Sequence, residues 1–235
     1  ERVDGGTQVI PLCRGWNLIS FNVLPEDRNF LNILNPLIED GFLEMVKNER
    51  GRFIRLIGNR WHDSIGEMAI EQGYQIRIIN TDNVNLAVSG QPVELPFENE
   101  LSRGWNIMSY PLTEERPSAE VLADLMESGV LAMVKNQAGR FMRRMGNGWY
   151  NSIGNFIPGN GYQIKLTEDA VLTIAGDNEQ QGASRNNEEE NEEDEGDGQR
   201  AVNPNAEEEA LDEEADQNLN KDLNFVDDEQ IDAWW

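Results

Sequence analysis

Residues 12–21 read LCRGWNLISF and residues 101–110 read LSRGWNIMSY, so this ten-residue stretch occurs twice in the chain. Five further blocks repeat at the same spacing of 88 or 89 residues. A register shared over so many blocks predicts two tandem copies of one domain, called here copy one and copy two. The further blocks are MVKN at 45–48 and 133–136, GRF at 51–53 and 139–141, GNRW or GNGW at 58–61 and 146–149, SIG at 64–66 and 152–154, and GYQI at 73–76 and 161–164.

Each copy reads as a series of short β-strands. Runs such as WNLISF at 16–21 and YQIRII at 74–79 are rich in aromatic and branched residues and are bounded by Gly, Asn or Asp, which is typical of strands. A helix is predicted between the first two strands, with an apolar face between residues 121 and 126 in copy two. Pro36 weakens the equivalent helix of copy one. The sequence therefore predicts a mainly β protein: two small antiparallel β domains, each with one short helix, followed by a long acidic tail.

The chain is strongly acidic, and most of the acidity follows the repeats. Its 235 residues carry a net charge of -25. Residues 177–235 contain 22 acidic and three basic residues, whereas residues 1–176 contain 22 acidic and 16 basic ones. The tail has too few apolar residues to offset the entropy of ordering it. We therefore expect four segments: a first β repeat domain at 1–90, a second at 91–176, an acidic low-complexity linker at 177–204, and a C-terminal tail with a short helix and an aromatic anchor at 205–235.

Charge and composition exclude several classes of partner and reaction. Binding to nucleic acid or to an anionic membrane surface requires clustered Lys and Arg, so neither is expected as a partner of this chain. No apolar stretch approaches the roughly 20 residues of a membrane helix, so membrane insertion is not expected either. His62 is the one histidine of the chain, and Tyr150 replaces it in copy two. Catalysis by histidine is therefore not expected, and the protein is predicted not to be an enzyme.

Metal and thiol chemistry are not predicted either. The spacing of an EF-hand does not occur, although the acidic segment is rich in the oxygen ligands that hard cations prefer. We expect no bound cofactor and only diffuse screening by divalent cations such as Ca²⁺. The one cysteine, Cys13, aligns with Ser102. It is predicted to be a small packed residue and not a reactive thiol.

The order of the repeated motifs resembles a known family. It runs Gly-Trp-Asn-x-x-Ser, a short helix, Val-Lys-Asn, Gly-Asn-x-Trp, Gly-Tyr-x-Ile and a closing Leu-x-Ile-x-Gly. This order is similar to that of the tandem Gly-Trp-Asn β-domains of large secreted and cell-surface proteins of environmental bacteria. The resemblance covers residues 5–176. It implies a modular protein that is secreted or held at the cell surface and that has no catalytic site.

Three sets of side chains are candidates for packing or binding. Trp16 and Trp105 lie mid-strand beside apolar neighbours, so we predict that they are core indoles. Trp61 and Trp149 follow Gly-Asn in a loop or hairpin, where an exposed indole would stack on a sugar ring; the alternative is packing under the loop. Basic side chains are predicted to alternate along matching strands and to form a solvated sheet face that receives an acidic tail: Arg52, Arg55, Arg140 and Arg143.

The C-terminal tail carries the other half of the predicted assembly. A lead-in segment precedes each Gly-Trp-Asn block, at 7–12 and 91–96, and none follows residue 176. We therefore expect a free sheet edge at the end of copy two, of the kind that accepts a further strand. Asn205 predicts the N-cap of a short helix in the tail. Apolar side chains at the end of this charged segment are predicted to form an assembly anchor: Leu223, Phe225, Val226, Ile231, Trp234 and Trp235.

Together these features predict a secreted, non-enzymatic structural subunit. We expect it to assemble head to tail into an extracellular fibre or surface appendage, with its acidic tail docking on a neighbouring subunit in the manner of a donated strand. Its partner is then another copy of itself. The alternative is a carbohydrate-binding or adhesive module of a bacterial surface protein, with a glycan as partner and Trp61 and Trp149 as its platforms.

Overall fold

A computed structural model describes residues 5–176, which include both repeats and end before the acidic linker. This part of the chain is mainly β, with antiparallel sheets and a few short helices, as the sequence predicts. Within it, no helix has the length and apolar character needed to cross a membrane. The predicted linker and tail, including the anchor residues from Leu223 to Trp235, lie outside the described residues.

Copy one consists of one antiparallel sheet and two short helices. Its elements are, in chain order, β1 Gly6–Ile19, β2 Val23–Leu24, α1 Phe30–Ile33, α2 Asn35–Glu39, β3 Leu43–Lys47, β4 Phe53–Ile57, β5 Arg60–Asp63 and β6 Tyr74–Pro92. The sheet order is β1-β6-β3-β4-β5, and β2 pairs with the end of β6. The long strands β1 and β6 pair along most of their length, with an irregularity between Cys13 and Gly15.

Copy two repeats this arrangement but interrupts the long strands. Its elements are β7 Phe97–Leu101, β8 Gly104–Met108, β9 Arg116–Pro117, α3 Ser118–Val121, α4 Ala123–Glu127, β10 Leu131–Lys135, β11 Phe141–Met145, β12 Gly148–Asn151, β13 Asn155–Phe156, β14 Tyr162–Leu166 and β15 Ala170–Ile174. The main sheet has the order β12-β11-β10-β14-β8, while β15 pairs with β7 and β13 with β9. Between β7 and β8, the backbone N–H of Arg103 donates to Asp169 Oδ1 at 2.6 Å.

The one helix predicted in each copy is broken into two short segments. Copy one breaks at Leu34, between α1 and α2, and copy two breaks at the equivalent Leu122, between α3 and α4. Pro36 is not the cause of the break, because copy two breaks at the same place without a proline. Both leucines are fully buried, so each break lies where the segment packs against the core.

Each copy has its own hydrophobic core, and each core contains three aromatic rings in contact. In copy one the ring of Phe30 lies 4.6 Å from that of Tyr74 and 5.9 Å from that of Phe21, both in edge-to-face geometry. Such aromatic pairs stabilise a core beyond the area that they bury. The corresponding rings of copy two belong to Tyr110, Phe156 and Tyr162.

The third ring of this cluster comes from a different position in each copy. Phe30 of copy one aligns with Ser118 of copy two, whereas Phe156 of copy two aligns with Met68 of copy one. All four side chains are buried. The ring therefore comes from one of two positions, Phe30 in copy one and Phe156 in copy two, while Met68 and Ser118 occupy the other position in each copy.

The two copies pack against each other through reciprocal hydrogen bonds between side chain and backbone. The N–H of Leu18 donates to Gln137 Oε1 at 2.9 Å, and the N–H of the equivalent Ile107 donates to Glu49 Oε2 at 3.0 Å. Glu49 and Gln137 also occupy equivalent positions. Because each contact occurs twice with the copies exchanged, the repeats form a pseudo-two-fold pair within one compact unit.

Two glycines make this pairing close. Gly161 N–H donates to the carbonyl of Leu18 at 2.9 Å, and the equivalent Gly73 N–H donates to the carbonyl of Ile107 at 2.6 Å. A Cβ at Gly161 would lie 2.7 Å from the backbone oxygen of Ile19. Only glycine therefore allows the backbones to approach this closely, and the edges of β1 and β8 are covered by the other copy.

A lead-in strand is not missing from copy two, so the predicted origin of a free edge is wrong. The segment equivalent to residues 7–12 is β7 and not 91–96, whose first two residues end β6. β7 pairs with the closing strand of the same copy, β15, from Phe97↔Ile174 to Leu101↔Ala170. The first half of β1 pairs in the same way with the closing half of β6. Each lead-in segment thus completes the copy that follows it in the chain, so the closing strand of copy two already has its partner.

Candidate functional site

The tryptophans of the Gly-Trp-Asn motif lie on the outer face of the sheet, so the prediction that they are core indoles is wrong. Trp105 is 47% exposed, and Trp16 is partly exposed. The inward position belongs to the next residue, because side chains alternate along a strand. Asn17 is only 3% and Asn106 only 4% exposed.

The buried asparagine folds the chain back at the start of the motif. Asn106 Oδ1 accepts from the N–H of Ser102 at 2.9 Å, and its Nδ2 donates to the carbonyl of Ser102 at 2.7 Å. Asn17 makes the same two bonds to Cys13, at 2.9 and 2.8 Å. These bonds satisfy a buried amide that would otherwise destabilise the core. The motif therefore places an asparagine inside and a tryptophan outside.

Each outward tryptophan lies beside two cations. The ring centroid of Trp105 is 5.2 Å from Lys135 Nζ and 5.7 Å from Lys165 Nζ. The ring centroid of Trp16 is 5.3 Å from Lys47 Nζ, and Arg77 Cζ lies 5.7 Å from it. These distances are those of cation–π contacts.

Strand register extends each cluster across the sheet. Directly opposed residues of antiparallel strands project from the same side, so a continuous row of paired residues marks one face. We call the two rows, each together with its nearby lysine, the Trp105 face and the Trp16 face. The Trp105 face comprises Trp105, Lys165, Met133, Arg143 and Tyr150 with Lys135, and the Trp16 face comprises Trp16, Arg77, Met45, Arg55 and His62 with Lys47.

The two faces differ in charge. Residues 131–167, which include four of the five strands of the main sheet of copy two, contain five basic and no acidic residues. The equivalent residues 43–79 contain six basic and five acidic residues. In a chain with a net charge of -25, this makes the sheet of copy two an isolated basic region. A basic region of this kind attracts anionic groups.

The carboxylate that distinguishes the faces lies at an irregular position of the sheet. Glu44 Oε2 lies 3.2 Å from the Nε of Arg77. Ala132 occupies the equivalent position in copy two, and the strand register shifts there in both copies. Within residues 5–176, no carboxylate oxygen lies within 4.0 Å of the ammonium of Lys135 or Lys165.

The surroundings of Lys135 disfavour its charged form. Burial lowers its pKa below the ordinary value for lysine, and the neighbouring ammonium of Lys165 lowers that pKa further. Both effects disfavour the cation, and a nearby anion would oppose them. Close by, the Nε of Arg143 is buried and finds no hydrogen-bond partner among the described residues, while the guanidinium lies 5.6 Å from the ring of Phe141.

The predicted arginines are only partly brought together. Arg55 and Arg143 lie on β4 and β11, in the two faces defined above. Arg52 and Arg140 do not alternate with them along the strands, because they precede β4 and β11 and lie exposed in the hairpin turns. The prediction of a single arginine face is therefore wrong at these two positions.

The predicted sugar platforms lie elsewhere on the sheets. Trp61 and Trp149 are on β5 and β12, the second strands of hairpins, and each packs against the core of its own copy. Each neighbours a residue of the outer row, His62 or Tyr150, and so projects from the opposite side of the sheet. Both indoles are only partly exposed. A role in glycan binding stays a prediction.

The remaining candidates supply no reactive site in the part of the chain that the structure describes. Cys13 is exposed, so the prediction that it is packed is wrong; it lies where the pairing of β1 with β6 becomes irregular. His62 is exposed as well. Residues 5–176 contain no group of three or more His, Cys, Asp or Glu able to hold a metal ion.

No protein-family model, curated protein or solved structure matches this chain. Its function therefore has to be inferred from the site. The sequence contains a feature that indicates this basic sheet and that the predictions above did not use. Residues 131–167, a stretch of 37 residues, contain no carboxylate in an otherwise acidic chain.

Proposed function

We propose that this protein is a non-enzymatic structural subunit that assembles head to tail outside the cell. The acidic tail of one molecule docks on the repeat body of the next. The observation that carries the proposal is the separation of charge: residues 177–235 have a net charge of -19, whereas the main sheet of copy two is purely basic among its charged residues. Such complementary regions steer association between molecules.

The geometry of this contact favours a polymer over a closed pair. A tail and a sheet face are different surfaces, so their contact is heterologous and leaves a free tail and a free face at the two ends. Rings or filaments result from repeated contacts of this type. Because β7 already pairs with β15, the tail in this proposal docks on a sheet face and does not insert as a missing strand.

The predicted anchor gives the tail a specific end. Residues 225–235 combine Phe225, Trp234 and Trp235 with four carboxylates. Aromatic side chains dominate the energy of many interfaces, while charges contribute mainly to rate and selectivity. The linker between the repeats and this anchor is long and self-repelling, which favours reach to a neighbouring molecule.

The extracellular location is part of the same proposal. It is supported by the resemblance of the repeats to the Gly-Trp-Asn domains of secreted and surface proteins. Fractionation of the native organism, followed by detection with an antibody to the repeats, tests it. Recovery of the protein only from the cytosol would contradict the location.

Deletion of residues 221–235 tests the assembly. We expect the full chain to form concentration-dependent oligomers in light scattering and filaments in negative-stain images, and the truncated chain to stay monomeric. The matched control keeps the length and charge but replaces Phe225, Trp234 and Trp235 with Ser, and it should also be monomeric. Filaments that are unchanged by the deletion would overturn the proposal.

A second candidate function is carbohydrate binding. The observation that favours it is the exposed ring of Trp105 between two lysine ammonium groups, a setting that suits a sugar with an acidic substituent. A glycan array with the full chain tests this function. Binding should fall on Trp105→Ala, and the earlier hypothesis requires that it fall on Trp61→Ala with Trp149→Ala.

A further inference from the structure

We infer that the receiving site for the tail is the Trp105 face of copy two, and that the Trp16 face of copy one does not receive it. The inference rests on the proposed head-to-tail assembly and names the surface and the segment that meet in it. The occupant is residues 225–235 of a second copy of this chain.

The two faces share one scaffold, which makes their comparison a controlled one. Both have an outward tryptophan followed by a buried asparagine, and both have two cations beside the indole. Both also have a methionine on β3 or β10 and an arginine on β4 or β11. The two faces therefore have the same arrangement of equivalent residues. Charge separates them, because an acidic segment approaching the Trp16 face meets the carboxylate of Glu44, which has no equivalent on the Trp105 face.

One substitution removes that carboxylate. Glu44, which pairs with Arg77, is replaced by Ala132. Glu49 is replaced by Gln137, which keeps the hydrogen bond to the opposite copy through its amide oxygen and loses the charge. Glu49 lies against the backbone of Ile107 in copy two, so this second substitution keeps the contact between the copies and does not itself distinguish the two faces.

The two lysines of the Trp105 face have no carboxylate partner in the described part of the chain. Lys135 and Lys165 both flank one indole, and no carboxylate oxygen of residues 5–176 lies within 4.0 Å of either ammonium. Arg143 adds a third cation in the same row of paired residues. Carboxylates bound here would form charge-assisted hydrogen bonds.

The tail end offers the matching chemistry. Within eleven residues it holds Asp227, Asp228, Glu229 and Asp232 for the cations and aromatic rings for the indole. Other parts of the 59-residue tail carry carboxylates without aromatic side chains. A site built from an exposed indole and cations therefore selects the end of the tail over the linker.

The experiment places the missing carboxylate back on copy two. In the full chain, Ala132→Glu should pair with Lys165, as Glu44 does with the equivalent Arg77, and weaken association by about tenfold at low salt. Ala132→Gln has the same size without the charge and should associate like the wild type. Association is measured by analytical ultracentrifugation, and a thermal unfolding curve checks that each variant is folded.

A second pair of variants keeps the inference testable if position 132 tolerates no long side chain. Trp105→Ala should weaken association by about tenfold or more, as expected for an aromatic anchor, while Trp16→Ala should leave it within about twofold. A synthetic peptide of residues 221–235 should compete with assembly of the full chain. The same peptide should compete poorly at high salt, because the contact is electrostatic.

The outcomes separate this inference from the proposed function. If the chain lacking residues 221–235 still assembles, the proposed function fails. If that truncation is monomeric but Ala132→Glu and Trp105→Ala assemble like the wild type, the function stands and the Trp105 site is wrong. Equal effects of Trp16→Ala and Trp105→Ala would overturn the claim that only copy two receives the tail.

Discussion

Copy one and copy two keep the same skeleton and differ in the charge that they carry on it. The tryptophan outside, the asparagine inside and the reciprocal bonds of Glu49 and Gln137 occur in both. The basic stretch 131–167 has no counterpart in copy one. In a duplicated protein, positions that agree report on the fold, and exposed positions that differ indicate where the copies have different partners.

The hydrophobic cores of the two copies also differ at equivalent positions. Phe30 and Met68 of copy one become Ser118 and Phe156 of copy two, so the third ring reaches the cluster from another element. Ser118 uses its new place to donate to the carbonyl of Gly154 at 2.7 Å and to accept from Asn151 Nδ2 at 2.9 Å. A difference between copies inside the core is therefore compensated locally, whereas the charge difference on the surface is not.

The largest expected effect comes from removing the ring that copy two places differently. Phe156→Ala should destabilise the protein by about 3 to 5 kcal/mol, because a fully buried ring in contact with two tyrosines leaves a cavity. Phe30→Ala should cost a similar amount in copy one. Ser118→Ala is the control at the position aligned with Phe30, and it should cost clearly less. Urea unfolding measures all three, and equal losses would contradict the exchange of roles.

The second effect is a loss of stability at alkaline pH. Burial raises the pKa of Tyr74 to about 12, and burial raises the pKa of Tyr162 as well. The unfolded chain loses these protons near pH 10, before the folded chain does. The stabilising contribution of Tyr74 is therefore complete below about pH 10 and falls by about 2 to 3 kcal/mol as the pH approaches 12.

Urea titrations between pH 8 and pH 11.5 measure this loss. Tyr74→Phe and Tyr162→Phe each remove one titrating hydroxyl and should flatten the profile in proportion. The hydroxyl of Tyr74 accepts from the N–H of Ala69 at 2.8 Å, so Tyr74→Phe starts from a lower stability at neutral pH. A profile that stays flat in the wild type would show that these hydroxyls titrate at their ordinary pKa.

How much of this could be predicted from the sequence depends on which contacts are local. The short strands and the mainly β class follow from patterns within a few residues, and the class is confirmed. The outward tryptophans were missed because Asn17 and Asn106 look like surface residues until their bonds to Cys13 and Ser102 are known. Polar residues are rarely fully buried, so the sequence pattern predicted the tryptophan inside and the asparagine outside, which is the reverse of the structure.

Contacts between residues far apart in the chain could not be predicted from the sequence. Nothing in the letters shows that β7 belongs with β15 and not with the copy before it. The bond from Ile107 to Glu49 joins residues 58 positions apart, and a single sequence does not reveal such a pair. The basic stretch 131–167, in contrast, needed only a count of charges in each copy.

The third effect tests the pairing of the copies at Gly161. Gly161→Ala should destabilise the protein by about 1 to 3 kcal/mol, since the new Cβ would lie 2.7 Å from the backbone oxygen of Ile19. Gly73→Ala should act in the same way from the other copy. Gly148→Ala, at a position with open space around it, is the control and should change little. Thermal unfolding measures the three variants, and a cost limited to one copy would contradict the pseudo-two-fold pairing.

The smallest expected effect on stability is the most informative about function. Burial and the ammonium of Lys165 both lower the pKa of Lys135, which means that the fold disfavours the charge that this residue carries at neutral pH. Lys135→Met keeps an apolar stem against Trp105 and removes that charge. The free energy of unfolding should therefore stay within about 0.5 kcal/mol of the wild type or rise slightly. The same variant should weaken head-to-tail association in ultracentrifugation. A cation that adds nothing to the fold and is needed for association is retained for a partner; a clear loss of stability with unchanged association would instead make Lys135 a structural residue.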